Sequence, residues 1–283
     1  MRRMPASIGL LLMTAACGGL GTANVPDPTP PTQALAAWQD FPAMRIPRPI
    51  VMFDPYPLYS GFTSDSAKIA AFCSKYSLAT ELSSAAPPSA TASWPGGTSV
   101  TYAAISPADA YSTIAKFPTE MQSHECDSVP PLQVTAVHLG QARFGTDRGN
   151  ALMSAWLFTA TGSIADIAYP AIVPSAFWVL PKPDPNANVI FGMSAAVSAD
   201  GRTLDFGFMG GECHDGYKSA VAESPTAVAV AVVAIPKPGH GVCPAVGISH
   251  RITVRLASPL GGRVLLGASG GVEAVCPVSA KTC

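Results

Sequence analysis

The pattern of apolar and polar positions divides the chain near its middle, with helical spacing before that point and strand-like alternation after it. Apolar residues recur every three or four positions over residues 64–78, and Ser64 or Ser66 can cap the first turn, so a helix is predicted there. A second helix is predicted over residues 107–117, because the sequence SPAD at its start supplies a serine cap, a proline and an early acid. The serine- and proline-rich residues 83–97 between them are expected to form a loop.

The second part of the chain alternates apolar and polar positions as strands do. The clearest run, TAVAVAVVAI, favours an extended backbone through its branched valines and is too short to span a membrane. Strands are predicted over residues 132–139, 152–161, 177–180, 189–197, 203–209, 226–235, 252–256 and 263–266. Short strands separated by glycine and proline turns predict an α+β, mostly β fold, with an antiparallel, sandwich-like body over residues 131–283. A smaller helix-containing part would cover residues 38–130, and the two parts could share one sheet.

The first residues have the parts of a secretory signal. Arg2 and Arg3 form a positive start, an apolar stretch covers residues 8–13, and small residues surround Cys17. A cysteine at the first mature position is typical of a bacterial lipoprotein signal, so residues 1–16 are expected to be removed and Cys17 to be acylated. Thr14 stands where such signals usually carry an aliphatic residue, and an ordinary cleaved signal is the alternative.

Residues 17–37 are expected to form a flexible tether, because the sequence PDPTPP and its small polar neighbours cannot bury a core. The whole chain has 17 lysines and arginines against 18 acids, with no basic run beyond the signal. This balance excludes a nucleic-acid partner and a polybasic membrane footprint. The expected attachment is therefore to the extracytoplasmic face of the cell membrane, through lipid on Cys17 alone.

The remaining cysteines are even in number, which in an exported chain predicts disulfide bonds. Closeness along the chain favours the pairs Cys73–Cys126, Cys213–Cys243 and Cys276–Cys283. The alternative is that some of these cysteines are buried thiols. At least two disulfide bonds are expected.

Three segments have residue types suited to catalysis or metal binding. Residues 267–271 match the G-x-S-x-G motif of hydrolases, but no helix can follow the glycines and the last histidine, His250, precedes the motif, so a glycine turn is expected. Residues 124–127 (HECD) and 212–215 (ECHD) gather metal-ligand types without the spacing of a zinc site. A site formed by the two segments meeting in space is an open alternative, whereas disulfides with solvated polar neighbours are expected. No metal ion and no cofactor is predicted.

The tripeptide DRG at residues 147–149 suits a tight turn before a strong strand. Arg148 is expected to pair with a nearby carboxylate, and binding of an anionic ligand is the functional alternative. Glu223 lies in an apolar stretch and is expected to pair with an arginine such as Arg251 or Arg255, and a position on the solvent-exposed face is the alternative. Both residues are interpreted as parts of the scaffold.

Tryptophans could line a groove for a carbohydrate or a peptide. Trp156 and Trp178 lie in predicted strands beside other apolar residues, and both are expected in the core. Trp94 lies in the loop sequence SWPGG and is expected to be exposed at a contact surface.

Short sequences in the second part of the chain, in their order, resemble a group of uncharacterised secreted lipoproteins of actinobacteria. They are FGTDRG at residues 144–149, AWLF at 155–158, FWVL at 177–180, DGRTL at 200–204, GGEC at 210–213, AES at 222–224 and PLGGR at 259–263. The resemblance covers about residues 130–267 and implies export and lipid anchoring. It implies no catalytic residue, because the group has no known activity to transfer.

The sequence thus predicts a lipid-anchored extracytoplasmic protein with a binding or structural role and no catalysis. The alternative is a secreted hydrolase or metal-dependent enzyme whose site residues are scattered along the chain. A deep cleft holding an acid with two or more of His124, His214, His240 or His250 would favour the enzyme. The protein or cell-envelope ligand is not specified by the sequence.

Overall fold

A computed structural model describes residues 31–53, 57–118, 123–182, 192–237 and 246–277. The predicted signal, the lipidation site Cys17, most of the tether, and Cys243 and Cys283 lie outside these residues. No helix among the described residues is long and apolar enough to cross a membrane. The fold is α+β and mostly β, as the sequence predicts.

The described elements follow one another along the chain, with short helices mainly before the long strands. The helices are α1 (Thr32–Ala36), α2 (Asp65–Phe72), α3 (Pro107–Ile114) and α4 (Ser123–Asp127). The strands are β1 (Tyr76–Leu78), β2 (Ala90–Ser93), β3 (Ser99–Tyr102), β4 (Leu132–Thr146), β5 (Gly149–Ala160), β6 (Ile167–Pro170), β7 (Gly192–Val197), β8 (Thr203–Gly211), β9 (His214–Glu223), β10 (Ala227–Pro236), β11 (Gly247–Arg255), β12 (Val264–Gly267) and β13 (Val275–Pro277).

The first sheet is built around the long antiparallel hairpin of β4 and β5. Its strand order is β1-β4-β5-β2-β3, with β6 added to β5. One apolar cluster lies under it, and α2 and α3 contribute Ala70 and Ile114 to that cluster beside Phe144 and Phe158. The sheet therefore crosses the boundary predicted between residues 130 and 131, and the two parts of the chain share it.

The second part of the chain forms a three-stranded sheet, β12-β10-β9, and a four-stranded sheet, β11-β8-β7-β13. A second apolar cluster lies between them, with Val228 and Val230 from β10 and Leu204 and Phe206 from β8. The alanines of β10 point to the opposite face and join Trp38 and other residues in a third cluster. Because the first half of β10, residues 227–231, is buried on both faces, its small alanines leave room for the tryptophan on one side.

The predicted helix over residues 64–78 is correct at its start and wrong at its end. Ser64 caps α2 by accepting a hydrogen bond from the Ala67 amide, but α2 ends at Phe72. Ser74 has a φ of 52°, a left-handed conformation that turns the chain out of the helix. The amide of Lys75 donates to the Ala70 carbonyl at 2.9 Å, which completes the helix end. The following three residues can then form β1.

The other element predictions differ mainly in extent. α3 begins with the predicted cap, Ser106, but ends at Ile114. The predicted loop over residues 83–97 is wrong in part, because β2 lies within it. The predicted strand over residues 177–180 is reduced to one bridge, between Phe177 and Ile50. The small residues of β2 give no clear apolar alternation from which a strand could be predicted. The strand forms because its backbone pairs with β5 and β3.

The predicted disulfide between Cys73 and Cys126 is confirmed. It joins the end of α2 to α4, with the two Cα atoms 5.5 Å apart. Cys213 and Cys276 are disulfide-bonded as well. Cys243 and Cys283, the partners predicted for them, lie outside the described residues.

Candidate functional site

The turn between β4 and β5 is where the sequence placed DRG. Thr146 pairs with Gly149 across the hairpin, and Gly149 has the positive φ of 84° that glycine adopts without strain. The Thr146 hydroxyl donates to the Gly149 carbonyl at 2.6 Å and accepts from the Arg148 amide at 3.2 Å. The predicted tight turn is confirmed, and it fixes the positions of Asp147 and Arg148.

Asp147 is the buried carboxylate of this turn, with only 3% of its side chain exposed. Arg48 donates from Nη2 to Asp147 Oδ2 and from Nε to the Gly262 carbonyl, the latter at 2.6 Å. The Asp147 backbone carbonyl also accepts a hydrogen bond of 2.9 Å from the Val275 amide. Asp147 therefore connects the first sheet to β13 through its own carbonyl. Through its partner Arg48 it also connects the sheet to the segment before β12.

Arg148 lies over the face of Trp94, with its guanidinium carbon 3.7 Å from the ring centroid. Trp94 also donates from Nε1 to the Thr146 hydroxyl at 3.0 Å. The prediction that Trp94 is exposed is wrong, because these contacts leave it 5% exposed. Burial lowers the pKa of Arg148, and the charge of Asp147 opposes that shift.

A cleft of about 270 Å³ opens between the sheets at this turn. Arg48, Trp94 and Arg148 form its wall on the side of the first sheet. The turn after β7 contributes Ser198, and the segment before β12 contributes Leu260. We call this space the arginine cleft. Three separate parts of the fold meet there.

Buried hydrogen-bonding atoms without a hydrogen-bond partner are concentrated at the arginine cleft. Among the described residues they include Arg48 Nη1, Asp147 Oδ1, and Nε and Nη2 of Arg148. The nearest approach of Arg148 to the carboxylate is 3.9 Å, from Nε to Asp147 Oδ1, which is too long for a hydrogen bond. Buried polar atoms are nearly always hydrogen-bonded in native proteins, so this concentration needs an explanation.

Arg263 also lines the cleft but has a different environment. Its Nη1 donates to Glu223 Oε2 at 2.8 Å, and its remaining nitrogens donate to backbone carbonyls. The expected pairing of Glu223 with an arginine is confirmed, but the partner is Arg263 and neither of the two suggested, Arg251 and Arg255. Glu223 and Arg263 meet because β10 and β12 run side by side, whereas Arg251 pairs with Asp205 on the other sheet. Partial burial raises the pKa of Glu223, but the Ala257 amide and Arg263 lower it on balance.

The histidines do not line the cleft in the described part of the chain. His214 and His250 both contact Tyr217, whose hydroxyl lies 3.2 Å from His214 Nδ1 and whose ring centroid lies 4.6 Å from that of His250. His124 is in α4, and His240 lies outside the described residues. No group of three or more histidine, cysteine or acidic residues that could hold a metal ion is found among the described residues.

The G-x-S-x-G sequence is a glycine turn, as predicted. The Gly267 amide donates to the Gly271 carbonyl at 2.8 Å, and Gly270 has a φ of 82°. Close behind this turn, the Glu273 carboxylate lies over Gly267, where a Cβ atom would approach its Oε1 to 2.9 Å. Burial raises the pKa of Glu273 to about 7.

Glu273→Gln should change how stability depends on pH. The folded protein holds the proton of this carboxyl more tightly than the unfolded chain, whose carboxyl has the ordinary pKa of 4.5. The free energy of unfolding therefore falls as the pH rises from 4.5 through the folded-state pKa of about 7. The variant should therefore match the parent at pH 4.5 and exceed it at pH 8 by up to about 3 kcal/mol, at 1.36 kcal/mol per pKa unit. Urea denaturation across this range measures the difference. Glu81→Gln, at an exposed carboxylate, is the control, and equal pH profiles for the parent and Glu273→Gln would contradict the prediction.

The sequence does not predict that Arg48 takes part in the cleft, nor that Trp94 is buried there. Arg48 stands in the apolar sequence IPRPI, and a lone charge in such a run is the available signal of a buried ion pair. The carboxylate that completes the pair is 99 positions away. Trp94 has no local signal of burial, since its loop sequence is typical of exposed turns.

Comparison with known proteins adds no relative from which a function could be transferred. The chain matches no family model, no curated protein and no solved structure, and the chemistry of the arginine cleft has to be inferred from its own residues.

Proposed function

We propose that this protein is exported, is held by lipid on Cys17 at the extracytoplasmic face of the cell membrane, and acts there as a binding protein without catalysis. The arginine cleft is its ligand site. The observation that carries this proposal is the concentration of buried hydrogen-bonding atoms without partners around Arg48, Asp147 and Arg148. Since buried donors are costly to leave unpaired, a ligand that offers acceptors to the nitrogens of Arg48 and Arg148 would be stabilised, whereas Asp147 Oδ1 is itself an acceptor.

The disulfides support export. Cys73 and Cys126 are bonded to each other, and Cys213 and Cys276 are each disulfide-bonded. Structural disulfides persist in oxidising compartments and are rare in the cytosol. The resemblance to secreted lipoproteins of actinobacteria agrees with the same compartment, and membership in that group is part of the proposal.

The arrangement of the cleft favours binding over catalysis. Its charged side chains are held by the ion pair of Arg48 with Asp147 and by the stacking of Arg148 on Trp94. Fixed arginines suit recognition of an anion, because a guanidinium presents several donors in one plane and stays protonated. The two histidines that come together, His214 and His250, lie on β9 and β11, away from this wall.

The anchor is tested by Cys17→Ser in the native bacterial host. Loss of the acylated cysteine should abolish labelling by a fatty-acid analogue and move the protein from the membrane fraction to the soluble fraction. Acyl chains contribute about 0.8 kcal/mol per buried methylene, so their loss removes the main attachment. Ser7→Ala, a change inside the signal that leaves the cysteine intact, is the control. Unchanged membrane retention of Cys17→Ser would overturn the lipid anchor.

A further inference from the structure

We infer that the arginine cleft binds a small oxyanion, a carboxylate or a phosphoryl group, through the guanidinium groups of Arg48 and Arg148. The inference deepens the proposed function, because it assigns a ligand class to the cleft. Three properties of the cleft carry it: its charge, its hydrogen-bonding capacity and its size.

The charge at the cleft is not balanced. Arg48 is bonded to Asp147, and the guanidinium of Arg148 approaches the same carboxylate only to 3.9 Å. Two positive charges thus share one negative charge. The third arginine, Arg263, is neutralised by Glu223 at 2.8 Å and adds no net charge. A positive charge without a counter-charge is costly to hold in a partly buried site. Binding of an anion there would neutralise it.

The unpaired donors at the cleft match an oxyanion, whereas the unpaired acceptor Asp147 Oδ1 does not. Arg48 Nη1 and two nitrogens of Arg148 have no acceptor within hydrogen-bond geometry among the described residues, although the Tyr102 hydroxyl lies near Arg148 and favours its charged form. The Arg148 side chain as a whole is 28% exposed and lines the cleft, although its Nε and Nη2 are buried. Stacking on Trp94 fixes the plane of that group at 3.7 Å. A fixed guanidinium loses little freedom on binding, and its fork geometry suits carboxylate and phosphate oxygens.

The size and lining of the cleft limit the ligand. The volume of about 270 Å³ is below the range of sites for drug-sized molecules, which begins at about 300 Å³. Val197, Leu260 and Val275 supply apolar wall, and Thr98 and Ser198 supply hydroxyl groups at the same cleft. The ligand is therefore a small molecule or a single group of a larger one, with its negative charge toward the arginines and a short apolar part against the aliphatic side chains.

The test uses the mature, lipid-bearing protein purified in detergent. Inorganic phosphate and acetate are titrated separately by isothermal calorimetry, and chloride at equal ionic strength is the control for salt. Saturable binding of phosphate or acetate, absent with chloride, is the expected result. Binding of phosphate alone identifies a phosphoryl ligand, and binding of acetate alone identifies a carboxylate. Tryptophan fluorescence should change on binding, because Trp94 stacks on Arg148 at the cleft.

Variants decide whether the binding is at the cleft. Arg148→Gln keeps a planar polar group and should raise the dissociation constant at least tenfold. Arg148→Lys keeps the charge without the fork and should have an intermediate effect. Arg251→Gln removes an arginine paired with Asp205 on the other sheet and should leave binding unchanged. Circular dichroism of each variant verifies folding.

The contrary results are equally definite. Absence of saturable binding for both anions, or equal binding by the parent protein and a folded Arg148→Gln variant, would overturn the oxyanion site. These results are independent of the anchor. Release of the Cys17→Ser variant together with no oxyanion binding would leave export and anchoring intact and reject the ligand class alone.

Discussion

Asp147→Ala should lower the free energy of unfolding by about 3–5 kcal/mol, the usual cost of removing one partner from a buried ion pair. The loss leaves the guanidinium of Arg48 without its carboxylate, in a side chain that is 10% exposed. It also leaves Arg148 without the buried carboxylate beside it. Because Arg48 also holds the Gly262 carbonyl, the damage should extend to the junction between the first sheet and the β12 segment. Urea denaturation followed by circular dichroism measures the change.

A matched control comes from the exposed ion pair of Arg251 with Asp205. Asp205→Ala removes the same chemical group from the surface, where such pairs contribute about 0–1 kcal/mol. The double variant Arg48→Met with Asp147→Ala should recover part of the lost stability, because the charge of Arg48 is no longer buried unpaired, although Arg148 still lacks the carboxylate beside it. Equal effects of Asp147→Ala and Asp205→Ala would show that the buried pair has no special role.

The parts of the fold that the sequence predicts are those with a strong local pattern. β10 is predicted almost to its ends, because alternating alanine and valine indicate a strand whatever its neighbours are. The pattern does not show which partner each face has. In the structure the valines at 228 and 230 face the four-stranded sheet, and the alanines at 227 and 229 face the cluster around Trp38. Only tertiary packing decides between the two.

The elements that the sequence does not predict depend on distant partners. β2 is the four residues ATAS, and its alanines are buried only because β5 and β3 lie on either side of it. The end of α2 is set by Ser74, whose left-handed backbone is uncommon outside glycine and breaks a pattern that otherwise continues to Leu78. Periodicity cannot detect a turn of this kind, since the side-chain spacing is unaffected by it.

The candidate site is harder to predict than the fold, for the same reason. The turn chemistry of DRG is local and predicts the conformation of residues 147–149 correctly. The partner of Asp147 is Arg48, which comes from a segment 99 residues earlier. Trp94 reaches the turn only because β2 pairs with β5. The sequence therefore predicts one corner of the cleft, and the sheet supplies the remaining residues.

Val230→Asp should prevent folding altogether. Val230 is 4% exposed and lies in the cluster between the two sheets of the second part of the chain, against side chains such as Leu204 and Phe206. The change removes about 1.5–3 kcal/mol of favourable burial. It also places an ionised carboxylate among apolar groups, where an unpaired charge costs several kcal/mol more. The sum approaches or exceeds the roughly 5–15 kcal/mol stability of an ordinary domain.

Val233→Asp is the matched control, because it makes the same substitution three residues later in β10. Val233 is 40% exposed and stands opposite Lys218 on β9, where an acid faces a cation across the strands. This variant should remain soluble, with a stability within about 1 kcal/mol of the parent. Yield of soluble protein, the strand signal in circular dichroism and the midpoint of urea unfolding distinguish the two variants. A soluble, cooperatively folded Val230→Asp protein would show that the valine face of β10 is not part of a packed core.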